Sequence, residues 1–176
     1  MIDELKTWGV TPELSGLGFI FLHEPNKQIR WNFYCPDLTP VKVPDYHTHR
    51  IKFESQIIKG ALINEVVRWK PVQESAFHIV ETNCVNPDFK PKTVKENIMV
   101  IPDGRYYLPA GAWYISEPGT FHRVKCPIQT ITKLHILDKK TDNNLTIRNK
   151  KEPFSCPLQD FKMPEKECWE IIRTFF

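Results

Sequence analysis

Apolar and polar residues alternate along the middle of this chain at the period of a β-strand, in short runs broken by turn residues. Leu17 to Leu22 and Ile29 to Tyr34 are β-prone runs on either side of Pro25-Asn26, which predicts a hairpin. Pro36, Pro40 and Pro44 then predict an extended loop that delivers the chain to a run from His47 to Ile58, closed by a turn at Lys59-Gly60. Strands are expected next at Ala61 to Trp69, Ala76 to Glu81, Ile98 to Ile101, Arg105 to Leu108, Ala112 to Ser116, His122 to Lys125 and Thr130 to Leu137. The turns between them include Pro102-Asp103-Gly104, Pro109-Ala110-Gly111 and Pro118-Gly119. The stretch from Asn83 to Lys95, with Pro87, Pro91 and three lysines, reads as an exposed loop. Lys139 to Lys151 reads as a polar surface loop or an edge hairpin.

Helical periodicity is confined to the two ends. Ile2 to Trp8 places Ile2, Leu5 and Trp8 on one side of a short helix, interrupted by Gly9 and Pro12. Pro164 to Phe176 has proline at its first position, acidic residues in its first turn and an apolar face of Cys168, Ile171, Ile172, Phe175 and Phe176. That face is expected to pack on the outside of a sheet. Many short strands without an intervening helix predict a mainly β, single-domain fold over residues 1–176, an antiparallel sandwich or barrel whose core spans about 17–137, with short terminal helices.

Composition adds little to this picture but excludes several function classes. The chain of 176 residues is 41% hydrophobic, 26% charged and 12% aromatic, a globular balance. The 24 basic and 21 acidic residues leave a net charge of +3, which argues against a nucleic-acid or membrane partner. Five cysteines without a C-x-x-C pair indicate neither a disulfide framework nor a structural zinc site, so a reducing, cytoplasmic setting is the simpler expectation. Met1 to Lys6 lacks the basic-then-apolar order of a signal peptide and no apolar run approaches the ~20 residues of a membrane helix, so a soluble, intracellular protein is expected.

The candidate chemistry lies in the histidines. On an extended strand His47 and His49 share a face, ~6.6 Å apart along the chain, so two imidazoles can converge on one ion. His122, after the turn at Pro118-Gly119, is the best third ligand. Arg50 and Arg123 are expected on the surface by strand alternation, whereas Arg105, Tyr106 and Tyr107 are placed to line a pocket in which an arginine suits a carboxylate or phosphate. His78 reads as a sheet histidine and His23 as exposed. Thr48, Ser55, Tyr114 and Thr120 are candidates to orient the second nitrogen of a ligand histidine.

These stretches carry a family resemblance. His47 to Gly60 (HTHRIKFESQIIKG) resembles the first cupin motif, and Glu117 to Val124 (EPGTFHRV) is similar to the second, with one residue fewer between proline and histidine. The resemblance implies a double-stranded β-helix barrel, a jelly-roll variant, with a divalent metal held by His47, His49, His122 and, in a four-ligand cupin, Glu54. For Glu54 the resemblance gives two counts: forward from His49 the motif's gap suits Glu54 as a ligand, whereas back from Gly60 the family's ligand position falls on Phe53, so that Phe53, Ser55 and Ile57 face inward and Glu54 outward, unless a bulge reconciles the two. Without Glu54 the ligand set is that of the thiol dioxygenase branch. The segment from Ala112 to His135 is similar to the cysteine dioxygenase run in which a ligand histidine followed by Arg-Val precedes a strand ending in S-L-H-x-Y. There His135 matches a catalytic histidine that stands behind the metal ligands, with Leu137 in place of the tyrosine and Tyr114 as a further catalytic candidate.

The expected function is a metal-dependent dioxygenase, Fe(II) first with Ni, Mn or Zn fitting the same ligands, acting on a small thiol or carboxylate substrate bound near Arg105 and Tyr107. A non-catalytic cupin binding module and a metal-dependent sugar or keto-acid isomerase are the alternatives. The expected partner is a small molecule, and a homodimer is left open.

Overall fold

The computed structural model describes residues 2–15, 17–38, 45–82, 89–139, 144–152 and 163–176. Along the chain these form α1 (Ile2–Thr7), β1 (Glu13–Ser15), β2 (Phe19–His23), β3 (Ile29–Tyr34), β4 (Ile51–Lys59), β5 (Ala61–Pro71), β6 (Phe77–Thr82), β7 (Lys92–Lys95), β8 (Ile98–Pro109), β9 (Trp113–Ser116), β10 (Phe121–Lys125), β11 (Thr130–Lys139), β12 (Asn144–Asn149) and α2 (Glu165–Arg173). The protein is mainly β. One sheet has six strands in the order β1-β2-β3-β11-β4-β9, and two have three strands each, β10-β5-β8 and β12-β6-β7. Every described pairing is antiparallel.

β3 shows how the six-stranded sheet is built. Its odd-numbered residues Ile29, Trp31 and Phe33 face outward with Ile20 and Leu22 of β2 and Ile131 of β11, and this apolar face is covered by the terminal helices. Leu5 of α1 and Cys168, Trp169, Ile172 and Phe175 around α2 complete the cluster, in which Phe33 and Phe175 stand edge to face with ring centroids 5.5 Å apart. Each fully buried side chain of this size contributes about 1.5–3 kcal/mol relative to exposure. Pro164 takes the N-cap of α2, just ahead of the position expected for it, and Lys59 Nζ donates to the Phe175 carbonyl at 2.6 Å, tying the helix end to β4. The even-numbered residues Arg30, Asn32 and Tyr34 face the other way, into the interior.

A second apolar cluster, Val67, Ile79, Ile98, Phe121 and Ile147, joins the two smaller sheets. Two further strands flank β6, one in the stretch expected as an exposed loop and one in the stretch expected as a surface loop or an edge hairpin. Lys92–Lys95 becomes β7 by pairing with β6, although all four of its residues are exposed. Asn144–Asn149 becomes β12, with Ile147 and Arg148 buried. The runs expected at Ile98 to Ile101 and Arg105 to Leu108 are one strand, because Pro102-Asp103-Gly104 is absorbed as an irregularity opposite Val66 and Val67 instead of turning the chain. β8 is an edge strand, the place in a sheet where proline is tolerated. Gly60, by contrast, does turn the chain: its φ is +81°, and a Cβ there would stand 2.2 Å from the Gln129 carbonyl oxygen. Among the described residues no helix is long and apolar enough to cross a membrane. Pro40, Pro44, Cys84 and Cys156 lie outside the described residues.

Candidate metal centre

His47 and His49 precede β4 rather than lying in it. Their segment is clamped between two strands: His47 exchanges backbone hydrogen bonds with His122 of β10 at 2.9 and 3.0 Å, while Thr48 N donates to the Leu145 carbonyl of β12 at 2.8 Å. Leu145 N returns a bond to Thr48 Oγ1 at 2.9 Å, and Arg50 N donates to Asn144 Oδ1 at 2.9 Å. Alternation does the rest. Thr48 is buried against β12, and the two histidines project to the opposite side, towards His122.

The ring centroids of His47, His49 and His122 are 4.9 to 5.2 Å apart, and their ligand nitrogens all lie within 4.8 Å of one another. His49 Nε2 and His122 Nε2 are 2.8 Å apart. Two nitrogens each about 2.0–2.1 Å from one ion and at right angles would be separated by about 2.9 Å, so this spacing suits neighbouring ligands of a single metal. Two of the rings also have their second nitrogen fixed. His47 Nδ1 donates to the Asp45 carbonyl at 2.9 Å, since a carbonyl can only accept, and His122 Nδ1 meets Asn64 Oδ1 at 2.8 Å. Both bonds place the proton on Nδ1 and leave Nε2 a free lone pair, as a ligand requires. Thr48, Ser55, Tyr114 and Thr120, the expected orienters, do not fill this role. Asp45 and Asn64 do, and Asn64 could be found only from the pairing of β5 with β10, which brings together residues 58 positions apart.

Electrostatics keeps the group neutral. Burial pushes His122 down to about 3, with the neighbouring His47 adding to the effect. Burial also lowers His47, and lowers His49 well below its ordinary value, reinforced by the other two rings and by Arg30. Three neutral imidazoles at pH 7 form a nitrogen donor set suited to Zn, Fe, Ni or Cu. The chain matches no protein-family model and no curated protein. What supports a metal centre here is therefore the geometry of the three rings themselves.

Glu54 does not join the group. β4 carries its irregularity at Ile58, near Gly60, and the residues it buries are Phe53, Ser55 and Ile57. Glu54 lies on the outer face with a side chain 46% exposed, 3.3 Å from His135 Nδ1. His135 is displaced from its expected role for the same reason: it is paired with Ile29 and Glu54 on the outer face of β11, away from the three histidines. Arg105 and Tyr107 point outward from β8, 68% and 64% exposed, and Arg105 lies 3.6 Å from Glu65 rather than in a pocket with the histidines. Arg123 is on that outer surface too, paired with Glu65 and 4.4 Å over the Tyr46 ring.

Tyr114 is the one other expected site residue that stands with the histidines, its ring centroid 6.4 Å from that of His122 and 6.1 Å from Phe53. Burial raises its hydroxyl to about 12 against an opposing bond to Ser55, so it remains a protonated donor at neutral pH. His23, expected on the surface, turns inward as the last inner residue of β2 after Phe19 and Phe21. Arg30 projects into the same interior, where its charge acts on Tyr34, Tyr114 and His49. No sequence motif marks it, because a single arginine inside an aromatic strand has no spacing to be recognised by.

Proposed function

We propose that this protein is a metal-dependent enzyme of the cupin type, an Fe(II) dioxygenase acting on a small molecule bound beside the three histidines. The observation that carries this reading is the convergence of His47, His49 and His122 as neutral imidazoles that no carboxylate among the described residues joins. That ligand set is the one implied by the likeness to the thiol dioxygenase branch. It leaves positions open around an octahedral ion, and an Fe(II) held there would supply the oxygen chemistry. The chain's own part is to position and to exclude. Asp45 and Asn64 hold two of the ligand rings in orientation, Phe53 packs 4.8 Å from the His49 ring and limits water, and the Tyr114 hydroxyl offers a proton donor near His122. Antiparallel sheets with helices only at the ends are compatible with the jelly-roll barrel that this family would have.

Metal analysis of the purified full chain, followed by oxygen uptake with small thiols and thiol acids, tests the reading. Stoichiometric iron is expected in the wild type, lost in His47→Ala and His122→Ala and retained in Glu54→Gln. Protein that binds no divalent metal would overturn it, and iron-loaded protein that consumes no oxygen with any thiol would favour the isomerase or the binding module.

A further inference from the structure

The sheet β10-β5-β8 gathers positive charge at one point of its outer surface. Asn64 and His122 meet on the inner side, so strand alternation sends their neighbours Glu65 and Arg123 to the opposite side. Register then lines up Arg105 of β8, Glu65 of β5 and Arg123 of β10 directly across the three strands. In the next row Tyr107, Ile63 and Lys125 are opposed in the same way.

Glu65 is the hub. Its side chain is 12% exposed, and its carboxylate pairs with Arg123 Nε, lies 3.3 Å from Lys125 Nζ and 3.6 Å from Arg105 Nε, and accepts from Tyr46 Oη at 3.5 Å. Elsewhere on the surface, charges meet one to one: Lys52 with Glu117, Arg68 with Asp103, Lys150 with Glu96. Here three cations share one carboxylate, and no second carboxylate among the described residues pairs with any of them. Two positive charges are left over. They are accessible, because Arg105 and Lys125 are exposed. Both guanidinia approach Glu65 through Nε, which leaves their terminal nitrogens to grip an oxyanion.

The three charged heads converge instead of spreading along the strands, which suits one compact anion better than an acidic peptide. A phosphate monoester carries about −1.5 to −2 at neutral pH and matches the surplus; a carboxylate carries about half of it. Tyr107, itself exposed, follows Arg105 by two residues on the same side of β8, ~7 Å along the strand, within reach of a ring attached to that phosphate.

We propose that this surface is a binding site for a small aryl or heteroaryl phosphate monoester, its phosphate held by Arg105, Arg123 and Lys125 and its ring stacked on Tyr107. Glu65 pre-positions the three cations. The site lies on the side of the sheet away from the histidines and does not depend on the function proposed above.

The test is calorimetric titration of the full chain, stripped of metal with chelator, with phenyl phosphate, inorganic phosphate and benzoate. Saturable binding is expected to weaken in that order, phenyl phosphate being about 3- to 10-fold tighter than inorganic phosphate. Arg105→Gln and Lys125→Gln, both at exposed side chains, should each weaken phenyl phosphate about 10-fold. Tyr107→Ala should bring phenyl phosphate down to the level of inorganic phosphate. Arg68→Gln removes a cation that Asp103 already neutralises on the same sheet and should change nothing. Absence of saturable binding, benzoate binding as tightly as phenyl phosphate, or equal losses in Arg68→Gln and Arg105→Gln would overturn the proposal. A preference for phenyl phosphate that survives Tyr107→Ala would overturn the placement of the ring. Should a variant fail to fold, the wild-type order of the three ligands decides alone.

Discussion

The two faces of the six-stranded sheet are built from alternate residues of the same strands and do opposite things. On the outer face, Ile20, Leu22, Trp31, Phe33 and Ile131 are buried under the terminal helices in a cluster that is almost wholly apolar. On the inner face, the residues between them include Asn32 and Thr132, which are buried, and Arg30 and Tyr34, which are half-buried, polar side chains that are only partly paired. A sheet that packs chemistry on one side must obtain its stability from the other, and the helices at the chain ends supply it. The difference is testable, because perturbing each face should fail in a different way.

Acid should have the largest effect, and it acts on the inner side. His122 takes up a proton near pH 6.5 when unfolded but only at about 3 when folded, and His47 and His49 are shifted in the same direction. The unfolded chain therefore binds more protons in that window. The contribution is fully present above pH 6.5 and is lost as pH falls towards 3, at roughly 1.4 kcal/mol per unit for each buried histidine. Urea midpoints of metal-free protein should drop steeply between pH 6.5 and 4, whereas His122→Asn should flatten the drop. A pH-independent midpoint over that range would refute the burial of these rings.

Next in size is a break in the outer face. Phe33 is fully buried against Phe175, and Phe33→Ala should cost about 3–5 kcal/mol in urea denaturation, with metal content per folded chain unchanged. If the same truncation abolished metal binding in the folded protein, the two faces would not be separable in the way their packing indicates. Smaller again is Asn64→Ala, which removes the partner of His122 Nδ1 and should lower metal affinity about 10- to 100-fold while leaving the fold intact. Competition with a fluorescent chelator measures it.

The contrast between the faces also explains what could be read in the sequence. The outer face was legible: the hairpin around Pro25-Asn26 and the apolar side of the C-terminal helix follow from local periodicity, and they meet in one cluster. The histidine group was legible as well, because H-x-H spacing and alternation are local, even though the pair lies ahead of β4 and is held by β10 and β12. What escaped depended on distant partners. Asn64 reaches His122 only through the register of β5 with β10, β7 is a polar segment that becomes a strand by pairing with β6, and pairing with the other side of β6 makes β12 a strand where loop and edge hairpin had both been open. Arg30 sits in Ile-Arg-Trp-Asn-Phe-Tyr, whose polar set Arg30, Asn32 and Tyr34 has the alternation of a solvent-facing side, so the pattern could not tell that this set turns to the interior, Asn32 buried and the other two half-buried.

Glu54 gives the smallest predicted effect and the sharpest comparison, since moving it one residue along β4 would have placed it with the histidines. It pairs instead with His135 on the outer face, both side chains nearly half exposed. Solvent screens an ion pair of this kind to roughly 0–1 kcal/mol, and the His135 ring must be protonated before any charge attraction exists. Glu54→Gln should therefore shift the urea midpoint within about 0.5 kcal/mol and leave metal affinity at its wild-type value. Phe53→Glu, which puts a carboxylate at the neighbouring inward position beside the His49 ring, should instead change metal affinity while costing the burial of a core phenylalanine. Measured together, the two variants read the direction of β4 directly: a silent Glu54 with a responsive residue 53 means that the strand faces the metal centre with its odd-numbered side chains, and a reversed pattern would require the strand to be turned over.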